Sequence, residues 1–139
     1  MRQSTTKFEI NTDGPGLYDF SDTIIAWVKA SGIETGVLTL FITHTSASLT
    51  VQENAAPKVQ DDLHNFFKRL VSRDTSLYAH GAEGPDDMPA HIRSALTEVS
   101  LSIPVENGRP TLGTWQGVYL FEHRDHPHRR IVSANLMGE

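Results

Sequence analysis

The last third of the chain constrains the fold most. Residues 100–137 read as three strands in succession, with no helical period between them. "SLSIPV" is a strand, "ENGRP" is hairpin chemistry, "TLGTWQGVYLFEHR" is a long strand with two internal glycines, and "RRIVSANLM" closes the chain as a strand. Consecutive strands joined by a short hairpin favour antiparallel pairing, which points to the α+β class. Upstream, "TTKFEI" alternates as a short strand and "NTDGPG" ends it with turn chemistry. "LYDFSDTIIAWVKASG" reads as a helix with Ser21 as N-cap and Gly32 as its stop. "TGVLTLFIT" is almost continuously apolar, which predicts a strand buried on both faces, and "SLTVQE" follows as another after His44–Ala47. "APKVQDDLHNFFKRLV" is the clearest helix. "SLYAHGAEGPDD" is loop, and "DDMPAHIRSALTEV" a helix whose aspartates suit the positive end of its dipole. The order β, α, β, β, α, α, β, β, β predicts one α+β domain over residues 1–139. Its expected form is an antiparallel sheet or sandwich with helices packed against it.

Composition narrows the functions. A net charge of −5 argues against a nucleic-acid partner, which needs clustered cations along a phosphate backbone. Basic residues gather locally at Arg124, Arg129 and Arg130, enough for a small anion. Arg129 and Arg130 also read as exposed salt-bridge partners. With no cysteine, any metal falls to histidine, carboxylate or water. No apolar run approaches the ~18 residues of a membrane span, and "MRQSTTKFEINTDG" has no signal core, so the expected location is cytoplasmic, with no membrane partner.

Seven histidines make their placement informative. His44 follows directly on an apolar strand, the position from which a strand end can present a side chain. His80 lies in a glycine-flanked loop. On a wheel of about 100° per residue, His91 flanks the apolar stripe of Met88, Ile92, Ala95, Leu96 and Val99. Asp62 holds the matching flank beside Val59, Leu63, Phe66, Phe67 and Leu70. Two helices on one sheet could therefore offer an imidazole and a carboxylate to one cleft. His44, His80 and His91 are the ligand types expected for a divalent metal with an open position. Their spacing carries no familiar zinc motif, and each fits equally well as a surface or packing histidine. Thr45, Ser46 and Ser48 in "THTSASLT" either satisfy the turning backbone or bind phosphate alongside an arginine such as Arg124 or Arg130. Trp115 reads as core, yet glycines flanking Trp115 and Gln116 suggest a close approach to the backbone. Period-two alternation puts Tyr119, Phe121 and His123 on one face. Leu120, Glu122 and Arg124 share the other, so Glu122 is either a solvated strand residue or a carboxylate pointing into a site.

Together "HTSASLTVQEN", "AHGAEGPDDMPAHIRSAL", "SLSIPV", "GTWQGVYLFEHR" and "RRIVSANLMGE" resemble the YjbQ family, also described as the secondary thiamine-phosphate synthase family. The likeness runs from about Leu38 to the C-terminus. It implies an antiparallel α+β fold assembled as a homotrimer, with sites near subunit boundaries. It also implies a pocket containing His44, His80 and His91 that holds a metal or an anion, lined by Glu53, Asn54, Asp62 and Glu122. The implied activity is a weak thiamine-phosphate synthase, joining a hydroxymethylpyrimidine diphosphate to a thiazole phosphate and expelling pyrophosphate. Two positions depart from the family pattern: Ala56 stands where a carboxylate is usual, and Glu98 where a glycine is.

The expectation is thus a metal-assisted enzyme, using zinc or magnesium, on a small phosphorylated or heterocyclic substrate. His44, His80 and His91 hold the metal. Glu53, Asp62 and Glu122 are the acid/base candidates. Thr45, Ser46, Ser48, Asn54, Trp115, Gln116, Arg124 and Arg130 contact substrate, with Trp115 stacking on a pyrimidine. The rivals are a zinc-dependent hydrolase of a small phosphorylated substrate, and a ligand-binding protein with no chemistry.

Overall fold

In the computed structural model, which describes residues 1–139, eight strands and three helices follow in the order β1(Arg2–Thr12), β2(Gly16–Asp19), α1(Ser21–Ser31), β3(Gly36–Ile42), β4(Ala47–Glu53), α2(Pro57–Leu70), α3(Asp87–Leu96), β5(Ser100–Glu106), β6(Arg109–Pro110), β7(Gln116–Glu122) and β8(His128–Gly138). A short 3-10 turn, Thr75–Leu77, lies between α2 and α3. The strands form two sheets, β1-β8-β3-β5-β6 and β2-β7-β4, and every pairing is antiparallel. The fold is therefore α+β with two curled antiparallel sheets. Leu38, Leu40 and Ile42 of β3, Leu49 of β4, Val118 and Leu120 of β7, and Val132 and Leu136 of β8 form the core. Ile24 and Val28 of α1 join them.

Local chemistry explains the departures from expectation. Residues 17–19 belong to strand β2, paired with β7, so the first helix starts only at Ser21. Ser21 is its first helical residue rather than its cap. The Ser21 N–H donates to Asp19 Oδ1 at 2.8 Å, and the Ser21 hydroxyl accepts the Val118 N–H at 2.8 Å, tying α1 to β7. Gly32 ends the helix at φ 73°, as its position suggested. Strand β3 alternates instead of being buried twice: Leu38, Leu40 and Ile42 face the core while Val37 and Phe41 face outward.

Both later helices leave part of their apolar stripes at the surface, while Val59, Leu63, Phe67, Met88 and Ile92 are half-buried. No residue of α2 is buried; Phe67 packs edge-on against Phe121 at 5.3 Å, but Phe66 and Leu70 are exposed. In α3 the buried residues are Asp87, Pro89, Ala90, Arg93 and Ser94, whereas Leu96 is exposed, as is Val99 beyond the helix end. The helix is turned so that its polar flank meets the sheet. That rotation places the chemistry.

Candidate metal centre

The centre is built on the first turn of α3. Asp86 is the N-cap and Asp87 the first helical residue, where partly unpaired N–H groups and the dipole favour negative charge. His91 follows four residues later on the same face. The loop before the helix returns His80 to it. Asp87 Oδ2 lies 2.6 Å from His80 Nε2 and 3.0 Å from His91 Nε2, and one ligand atom from each of the three residues lies within 4.8 Å of the others. The carboxylate is buried while both imidazoles reach solvent.

The donor set fits a cation. His91 Nδ1 faces the Thr45 carbonyl at 2.8 Å, so Nδ1 carries a proton, and Nε2 faces the Asp87 carboxylate either as the second N–H of an imidazolium or, in the neutral ring, as a lone pair. Two lone pairs facing at 3.0 Å require a proton or a metal ion between them. Burial pushes the Asp87 carboxyl up, but the His80 hydrogen bond and the nearby His91 and Arg124 charges outweigh it, leaving it below the usual carboxylate range. Behind the site, Arg124 spends its whole fork on positioning. Its Nε meets Asp86 Oδ2 at 2.8 Å, Nη1 meets Asp87 Oδ1 at 3.0 Å, and Nη2 donates to the Glu83 carbonyl at 3.0 Å. Burial raises Asp86, but the Arg124 hydrogen bond, the Asp125 amide and the Arg124 charge together outweigh it and lower the carboxyl to about 2. Beside His80 a cavity of about 190 Å³ is lined by Thr75, Tyr78, Gly81, Gly84 and Met88.

Several expected residues are placed elsewhere. His44 does not join the other two histidines: its Nε2 accepts the Ile131 N–H at 2.9 Å, and burial with the Arg130 charge pushes the ring below its ordinary value. Asp62 is exposed on α2, so the His91–Asp62 cleft does not form, and the carboxylate facing His91 is Asp87. Glu122 is fully buried and accepts from Thr12, both Nε and Nη2 of Arg130, and the His123 and Arg124 amides. Five donors leave it no open lone pair for acid/base work. Arg130 is buried rather than exposed and also holds the Ser46 carbonyl and hydroxyl. Arg129 is the exposed partner, bonded to Glu9. Ser48 bonds His123 Nε2 at 2.9 Å and takes part in a contact with Thr97 at 2.7 Å. Arg124, Arg130, Ser46 and Ser48 are therefore occupied within the chain.

The remaining candidates sit at the opposite end of the β4–β7 ladder. Glu53 pairs with Gln116 there, whereas Ala47 pairs with Glu122 at the other end. Six residue steps of roughly 3.4 Å put about 20 Å between the two ends. Glu53 Oε2 accepts the Ala55 and Ala56 amides, shaping the entry to α2 where Ala56 has no side-chain oxygen. Trp115 is 63% exposed rather than core. The close approach signalled by Gly117 comes from the chain itself: a Cβ there would lie 2.9 Å from the Tyr119 ring. Asp87 is the one member of the His80–Asp87–His91 cluster that the sequence did not single out. The signal was present as Asp87-x-x-x-His91 at helical spacing, a carboxylate–imidazole pair rather than two histidines.

A family model described as UPF0047 protein YjbQ-like matches residues 6–139. The chain belongs to the YjbQ family. A UPF0047 protein of Synechocystis sp. is 54% identical over 139 residues, covering 100% of this chain and 95% of that one. The UPF0047 protein YjbQ of Salmonella typhimurium is 50% identical over 80% of this chain and 82% of its own. Among solved structures, a YjbQ/UPF0047 protein of Clostridium acetobutylicum superposes with a TM-score of 0.85 at 32% identity, covering 95% of this chain and 99% of that one. A conserved hypothetical protein of Thermus thermophilus gives 0.84 at 36% identity, with coverage of 95% and 99%. The α+β fold of this chain is thus shared with solved members of the family.

Proposed function

We propose that this YjbQ-family chain is a metal-assisted enzyme acting on a small phosphorylated substrate, with His80, Asp87 and His91 as the protein ligands of a divalent cation. The observation that carries the reading is the meeting of those three ligand atoms within 4.8 Å around one buried carboxylate. Two imidazoles and one carboxylate suit zinc and leave coordination positions open. When bound, such a cation neutralises charge on phosphate oxygens and on a departing pyrophosphate. The chain's own residues do the rest. Thr45 fixes the His91 tautomer through its carbonyl, Arg124 holds the second oxygen of Asp87, and Asp86 anchors Arg124.

The finer activity is the one the family resemblance implies, thiamine-phosphate synthesis with loss of pyrophosphate. The assembly is the implied homotrimer, each copy covering apolar surface of the next. Exposed Phe66, Leu70 and Leu96, with Val37 and Phe41 on the outer sheet face, support a second copy as that cover. Subunit contact also gives a route by which Trp115 and Asn54 of a neighbour meet a ligand held near the other end of the β4–β7 ladder.

Elemental analysis of protein purified without chelators tests the cation, and about one bound divalent ion per chain is expected. Asp87→Asn and His91→Ala should each lower zinc affinity at least tenfold in a competition titration. A wild-type protein that neither retains nor takes up zinc, manganese or magnesium removes the reading. Pyrophosphate release that needs both substrates supports the synthase. Release from the diphosphate alone favours the zinc-dependent hydrolase instead, a reading helped by the small cavity beside His80.

A further inference from the structure

Arg93 lies two residues beyond His91, but on α3 it is turned roughly 160° away, onto the buried flank of the helix. It keeps only 7% of its surface, and its Nε is buried with no hydrogen-bond partner. It forms no ion pair, although three acidic residues lie close to that end of the fold. Each of those acids is already engaged. Asp125 is gripped by both terminal nitrogens of Arg73, at 3.0 and 2.5 Å, Asp86 by Arg124 and the Asp125 amide, and Asp87 by Arg124 and the histidines. Burial and the charge of Arg73 both push the Arg93 guanidinium below its ordinary value, and Asp125 and Tyr78 only partly offset them. The Tyr78 hydroxyl is spent on the Ser72 carbonyl at 2.6 Å.

A second unpartnered atom lies in the same field. His123 is 2% exposed; its Nε2 meets Ser48, and its Nδ1 has no partner. The Arg93 charge is felt at its ring. A buried cation without a counter-ion costs several kcal/mol, and folded proteins pair such groups or bind something that does. A guanidinium fork matches the edge of a tetrahedral oxyanion, with two parallel N–H donors per phosphate edge. Arg73 and Asp125 are partly exposed, so this flank opens to solvent on their side.

We propose that Arg93, with Arg73 at its rim and His123 behind it, forms an oxyanion site of the phosphate class, on the flank of α3 opposite the His80–Asp87–His91 group. The site needs neither a metal nor turnover. Its test therefore stands apart from the proposed activity. Inorganic phosphate is titrated into the full-length protein by calorimetry at constant ionic strength balanced with chloride. One saturable site per chain is expected, with a phosphate-dependent rise in Tm. Arg93→Met should weaken binding at least tenfold, Arg93→Lys less so because it keeps the charge without the fork, and Lys7→Met, which removes an exposed cation of β1, should bind phosphate as wild type does. In phosphate-free buffer Arg93→Met should have a higher Tm than wild type, because it deletes an uncompensated buried charge. The proposal is overturned if wild type shows no saturable phosphate binding, or if Arg93→Met binds phosphate equally well. It is equally overturned if Arg93→Met lowers both Tm and native mass without phosphate, which would assign the counter-ion to a carboxylate of a second copy.

Discussion

His123 illustrates how burial, more than any neighbouring charge, sets a proton's fate. Desolvation, helped by the Arg93 and Arg130 charges against the pull of Glu122, depresses its ring from an ordinary 6.5 to about 3. The folded state therefore binds fewer protons than the unfolded chain between those values. Its contribution to stability is complete above pH 6.5 and is lost as pH falls toward 3, at up to about 1.4 kcal/mol per pH unit. Denaturant melts of wild type and His123→Gln between pH 6.5 and 4.5 should show a shallower slope for the variant. Equal slopes would mean the ring titrates normally. His44 is depressed in the same direction, so some slope should persist in the variant. Asp87 and His91 stand at helical i, i+4 spacing in the sequence, but only the folded loop adds His80 to the pair.

At the level of elements, one buried ion pair holds three strands from both sheets. Glu122 ends β7, Arg130 lies in β8, and Thr12 ends β1, all bonded through one carboxylate. Arg130→Met strands that carboxylate in the core and should cost about 3–5 kcal/mol in chemical denaturation. Adding Glu122→Gln should recover a large part of the loss, since the stranded charge is the main penalty. Strands β3 and β8 meet at a glycine pair, Gly36 opposite Gly138. A Cβ on Gly36 would sit 2.1 Å from the Met137 carbonyl, backbone that no rotamer can move aside. Gly36→Ala should open the end of this ladder, seen as faster hydrogen exchange at Glu139 and Thr35, whose amides bond across it. If exchange there matches wild type, the contact yields more easily than its geometry implies.

For the whole molecule, the register of β4 against β7 decides what one chain can assemble. It puts Ser46, Ser48 and Glu122 near one end and Glu53 and Gln116 at the other, so the pocket implied by resemblance is not completed within a single copy. The outward stripes of α2 and α3 and the outer face of β3 are apolar surface that an isolated chain leaves wet. The native mass should be three times the 15.4 kDa of one chain, and Phe66→Lys with Leu70→Lys should lower it. A wild-type protein that runs as a monomer at micromolar concentration would refute the trimer.

Hydrophobic period, turn residues and caps are local, and they determined the α+β class, both sheets' main strands, all three helices and the Gly32 stop. They also marked His80 and His91, because a glycine-flanked loop and a helix flank are local features. Which way a helix rolls is not local. The stripes of Met88–Val99 and Val59–Leu70 are as apolar as core stripes, and only the packed structure shows that α3 turns Asp87 and Arg93 inward. The same holds for Arg124, Arg130 and Glu122. Sequence lists them as charges free to bind a ligand, but tertiary packing pairs Arg130 with buried Glu122 and Arg124 with buried Asp86 and Asp87, since a charge removed from water must be met by another charge.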